Sequence, residues 1–121
     1  MVEFALLLPV LMFVLILGID FARVFYYDQT IVNCARNGAI YESDPSSALR
    51  ATYADYKKAA LADAGDLSPA LTEADITSAS SGSDVSVTVN YQFPTITTYL
   101  GFSTVNLSKT VTMRVAQAVP D

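Results

Sequence analysis

Sixteen residues without a formal charge, Phe4 to Ile19, stand at the start of this chain, with Glu3 before them and Asp20 and Arg23 after. Such a run must find an apolar environment in a core, a bilayer or a helix bundle. Twelve of the sixteen are Leu, Ile, Val or Phe. At about −0.3 to −0.6 kcal/mol each for insertion, they contribute roughly −4 to −7 kcal/mol, more than the cost of one carboxylate near the edge. As a helix the run spans about 24 Å, short of a hydrocarbon core about 30 Å thick. Extension to Tyr27 closes that gap and places Phe25, Tyr26 and Tyr27 as an aromatic belt at the interface.

Pro9 removes a backbone hydrogen bond inside the run, and Gly18 permits close approach of another backbone. Both suit a helix packed against other helices, and both are equally compatible with a kinked anchor. A secretory signal peptide would have a basic start and small residues at a cleavage site. Met1-Val2-Glu3 and Asp20-Phe21-Ala22-Arg23 supply neither, so the helix is expected to be retained. The nearest bases, Arg23 and Arg36, follow the run. By the orientation rule that puts the bulk of the chain in the cytoplasm, unless a basic leader preceded Met1 and was removed. We expect the second case, with Met1 at or near a cut.

Hydrophobic residues make up 52% of the 121 and charged residues 16%, below the usual quarter. This length suits one domain plus an extra element. The net charge is −5 and the bases are scattered, which excludes a basic nucleic-acid-binding face. There is no His, which removes imidazole bases and His-containing metal sites. The single Cys34 cannot pair within the chain. It reads as a small buried apolar residue or as an intersubunit thiol.

Beyond Asp20 an apolar stripe continues at spacings of three and four: Val24, Tyr27, Ile31, Cys34, Ala35 and Gly38. Thr30, Asn33, Arg36 and Asn37 form the polar face. One helix is therefore expected from about residue 2 to about 40, some 55–60 Å long. Residues 1–27 form its membrane or filament-core half, and 28–121 an α+β head. Asp44-Pro45 reads as the start of a second helix over about 46–64, with Leu49, Tyr53, Tyr56 and Ala60 on one face. The period then becomes two. Strands are expected at about 76–80, 84–93 and 105–117, with Val105, Leu107, Val111, Met113 and Val115 inward and Lys109 the exception. Residues 94–104 connect the last two strands, with Ile96, Tyr99, Leu100 and Phe102 folded back on the core. The fold class is α+β: a long helix, a second short one and a small antiparallel sheet of about three strands.

A long N-terminal helix with an early Glu, joined to such a head, resembles type IV pilins. The local pattern is closer still to the TadE-like family of the tight-adherence (Flp, type IVc) pilus systems. It comprises Val2-Glu3-Phe4-Ala5, Pro9, Gly18-x-Asp20-Phe21-x-Arg23, and Asn33-x-Ala35-Arg36-x-Gly38-Ala39. The resemblance implies a prepilin held in the inner membrane with its head outside the cytoplasm. A prepilin peptidase cuts it, and it then joins other Tad/Flp components in a pilus on the cell surface. Family members include minor pilins and pseudopilins, so the resemblance leaves the subunit's rank open.

The function expected is thus a structural subunit of a homopolymeric filament. Its apolar helices bundle through Phe4, Leu7, Leu8, Leu11, Val14 and Leu15, with Pro9 and Gly18 shaping the contact. Glu3 is either a solvated headgroup-level acid or a docking charge paired with an N-terminal amine, that of Met1 or of a neighbour. Asp20 and Arg23 are either an ion pair at i, i+3 or two independent interfacial charges. Asn106-Leu107-Ser108 is a glycosylation sequon by pattern. Asp63, Asp66, Glu73 and Asp75 do not follow a calcium-loop pattern, and no cofactor is implied. The alternative is a non-polymerising, single-pass anchored binding or assembly protein. With no nucleophile–base pair visible, an enzyme is not expected.

Overall fold

The computed structural model describes residues 1–117. Helix α1 runs unbroken from Val2 to Ser43, 42 residues or about 63 Å, and passes straight through Pro9. It extends one turn beyond the expected end near 40. Arg50 satisfies that last turn: Nε donates to the Tyr41 carbonyl at 2.7 Å and Nη2 to that of Glu42 at 3.3 Å.

Asp44 does not start the next helix. It closes α1 in an extended conformation, and its carboxylate accepts from the Ser46 N–H (2.9 Å) and Oγ (2.6 Å). The single helix expected over 46–64 is two short ones, α2 (Ala48–Thr52) and α3 (Tyr56–Leu61). Tyr53 turns extended after α2, and Asp55 restarts the chain as an N-cap, accepting from the Tyr56 N–H at 2.7 Å. The break lets Ala59 and Ala60 turn fully inward while Leu49 and Tyr53 stay half-buried.

Three strands follow: β1 (Ile76–Ser81), β2 (Asp84–Phe93) and β3 (Val105–Arg114). They form an antiparallel meander in the order β1-β2-β3. β3 stops short of the expected 117 because the chain leaves the sheet at Val115. There the Val115 N–H donates to the Ser83 carbonyl and the Ala116 N–H to the Ser43 carbonyl, both at 2.7 Å. On the inner face Val85, Val87, Val89, Tyr91 and Phe93 are buried, as the alternation requires. The outer face is a hydroxyl and amide ladder across β2 and β3, with Ser86 to Thr112 at 2.8 Å and Thr88 to Thr110 at 2.7 Å. Lys109, the odd residue on the inner face, reaches Asp28 on α1 at 3.0 Å.

The core lies between this sheet and the second half of α1, where Tyr27, Ile31, Cys34, Ala35 and Ala39 are buried. Small residues there bring helix and sheet close. A Cβ added at Gly38 would meet Val87 Cγ1 at 3.0 Å and Ala60 Cβ at 3.4 Å. Tyr27 packs edge-on against Phe93 with centroids 4.7 Å apart and against Tyr91 at 5.7 Å. The Tyr91 hydroxyl donates to the Pro69 carbonyl at 2.7 Å, which ties the 62–72 segment over the aromatic end of the core.

Candidate membrane and assembly surface

The two halves of α1 have opposite fates. From Met1 to Ile19 no side chain is buried, and only Ile16 is half-covered. Phe4, at 80% exposure, leads a row in which Leu7, Leu8, Leu11, Val14 and Leu15 are all bare. The helix is long and apolar enough to cross a membrane by length and composition. Pro9 cannot donate to the Ala5 carbonyl, which leaves one backbone acceptor open on this bare stretch. Gly18 faces open space, so nothing in this chain's own packing requires glycine there. Glu3 is exposed and makes no ion pair among the described residues.

At Asp20 the helix meets the head. Asp20 is only 6% exposed, and its two carboxylate oxygens accept from the backbone N–H groups of Ile96 and Thr97, each at 2.8 Å. Arg23 lies 3.9 Å from Asp20, at the limit of an ion pair, and its guanidinium sits 5.7 Å from the ring centroids of both Tyr27 and Phe93. The stronger partners of Asp20 are therefore backbone donors far along the chain. No side-chain pattern signals them; the only hint is a lone acid ending an apolar run, which needs donors nearby.

Ile96 and Thr97 open a 3₁₀ turn, Ile96–Leu100, that fills the β2–β3 connection. Thr95 is buried, and its N–H donates to Thr98 Oγ1 at 3.1 Å. Gly101, at φ 97°, ends the turn in a conformation that side chains disfavour. Tyr99, Leu100 and Phe102 do not fold back on the core. They are 83%, 58% and 57% exposed, because a turn pinned at its first residues points its far end outward. Phe21, Phe25 and Tyr26 are exposed on α1 just beyond Asp20, but Tyr27 belongs to the core and not to the belt expected of it.

Cys34 is free and fully buried on the helix–sheet face, out of reach of a second chain in this fold. Burial, with the Asp63 charge adding to it, pushes its thiol from 9.0 up to about 11. Asn106 lies exposed on the outer face of β3. The acids near Gly65 hold loops to α1: Asp63 accepts from Asn37 Nδ2 at 2.8 Å and Asp66 from the Tyr26 hydroxyl at 3.1 Å. Among the described residues no three potential metal ligands gather.

A bare apolar rod that continues into a small-residue face against a sheet is the arrangement to set beside known proteins. Residues 1–39 match the family model described as TadE-like protein. No curated protein and no solved structure matches the chain. The TadE-like stretch is almost the whole of α1, and the sheet lies outside it. Within it Ala35, Gly38 and Ala39 serve the head's own packing, and Asp20 serves the 3₁₀ turn. Glu3, Gly18, Asn33 and Arg36 are exposed.

Proposed function

We propose that this chain is a Tad-pilus-associated structural protein that waits in the membrane on the first half of α1 and is then incorporated in a filament. The observation that carries the reading is the division of α1. The TadE-like match spans both halves of α1, but residues 2–19 are apolar beyond Glu3 and exposed except at Ile16, whereas residues 20–43 are built into a folded head. Lipid covers the bare half before assembly, and neighbouring copies of the same half cover it afterwards. Glu3 is costly in such a bundle unless a cation meets it. An N-terminal amine from the same or a neighbouring subunit supplies that charge and fixes the axial offset between helices. Gly18 lets helices approach where the chain's own fold leaves space. A prepilin peptidase and other pilus components are the partners this role requires, and the head faces away from the cytoplasm.

The competing reading is an anchored assembly protein that never polymerises, which uses the same bare helix. Material sheared from cells separates the two. Filaments containing this chain are expected, and recovery of the chain only in detergent extracts would overturn polymerisation. Glu3→Leu should still insert in the membrane but yield far less filament. Filament at the unmodified level from that variant would remove Glu3 from docking.

A further inference from the structure

We propose that residues 96–102 are an interfacial foot. Asp20 holds this turn where α1 leaves the hydrocarbon, and Tyr99, Leu100 and Phe102 seat in the headgroup region of the same bilayer. The inference rests on the membrane half of the function proposed above.

The level of the turn follows from its bonds. Asp20 is the first charge after the sixteen-residue run, so a helix that buries the run brings Asp20 to the headgroups. Ile96 and Thr97 are bonded to that same carboxylate. Strand β2 runs toward the bare half of α1: Phe93 meets Tyr27, and Ile96 meets Asp20, about 10 Å further along the helix. The turn is thus the end of the head nearest the apolar run. The face of α1 turned toward the head also reaches below Asp20, since Ile16 one turn earlier is half-covered.

The chemistry of the turn fits a lipid surface. No charged residue occurs between Asp84 and Lys109. The turn's backbone N–H groups are served internally, as a low-dielectric setting demands. Asp20 takes two N–H groups and Thr98 Oγ1 a third. The Gly101 N–H goes to the Thr98 carbonyl at 3.1 Å and the Phe102 N–H to that of Thr97 at 3.3 Å. What remains outward is a tyrosine, a leucine and a phenylalanine, and α1 exposes Phe21, Phe25 and Tyr26 within two turns of Asp20, the amphipathic aromatic mixture that favours the bilayer boundary. A soluble surface rarely gathers such groups without a partner. Continuity with the membrane helix identifies that partner as lipid.

The chain contains no Trp, so one introduced indole reports alone. Full-length Tyr99→Trp, Phe13→Trp and Ser83→Trp would be reconstituted in phosphatidylcholine vesicles containing lipids with a nitroxide at a shallow or a deep acyl position. Expected are a blue-shifted Tyr99→Trp emission quenched most by the shallow nitroxide, a Phe13→Trp emission quenched most by the deep one, and an unquenched Ser83→Trp. If Phe13→Trp is quenched and Tyr99→Trp behaves like Ser83→Trp, the foot is overturned and the membrane helix stands. An unquenched Phe13→Trp overturns the membrane reading and the foot with it. A Tyr99→Trp blue shift that grows with protein density and is insensitive to lipid quenchers overturns the foot in favour of a second copy.

Discussion

The Asp20 carboxylate holds two backbone N–H groups, and its removal leaves both without their acceptor. Hydrogen bonds to a charged group contribute about 1.5–3 kcal/mol, so Asp20→Ala should lower the head's stability by about that amount. Hydrogen exchange at the Ile96 and Thr97 amides should accelerate, and unchanged exchange would refute the tie. The two helix glycines should respond differently. Gly38→Val forces methyl groups against Val87 and should cost about 1–3 kcal/mol in thermal or denaturant unfolding. Gly18→Ala, with nothing within 4 Å, should leave the head's melting unchanged and act only on assembly. Cys34 and Tyr91 set an alkaline limit. Burial raises Cys34 to about 11 and Tyr91 from 10.0 to about 12. Both hold their protons more tightly folded than unfolded, so stability falls as pH rises from about 9 through 11 for the thiol and from 10 through 12 for the phenol. Cys34→Ala should flatten the earlier part of that loss in pH-dependent unfolding.

At the scale of elements, α1 and the sheet were readable because their periods extend over many residues. The stripe from Val24 to Gly38 is the buried face, and the alternation in β2 is the inner face. Lys109 looked like a fault in β3 until Asp28, distant in sequence, supplied its partner. The division between α2 and α3 was harder to read, since Leu49, Tyr53, Tyr56 and Ala60 keep helical spacing across it. Asp55, an N-cap in front of Tyr56, was the available signal. The Asp20 tie was hidden for a physical reason: its donors are backbone N–H groups, which every residue but proline carries. The outward Tyr99, Leu100 and Phe102 ran against the default that apolar side chains turn inward. A five-residue 3₁₀ turn anchored at its start is too short to return them. The Lys109–Asp28 pair is partly exposed, so a double-mutant cycle should give a coupling of no more than about 1 kcal/mol that weakens with salt.

The whole molecule is a rod with a head fixed to its second half. Apart from the half-covered Ile16, residues 2–19 bury nothing in the head, so a chain begun shortly before Asp20 should fold with native-like circular dichroism and stay in solution without detergent. Loss of cooperative melting in that truncation would show that the bare half supports the core. No linker divides rod from head: contacts run along α1 from Asp20 at the turn, through Gly38 at Val87, to Ser43, whose hydroxyl lies 3.8 Å from the Met113 sulfur. Strand β2 lies along the same axis. A pull on the bare end therefore loads the helix–sheet contact in shear over its full length, so that many side chains resist together instead of yielding one after another. Single-molecule extension of the full chain from residue 1 should accordingly show one high rupture force for the head, with no stepwise peeling before it.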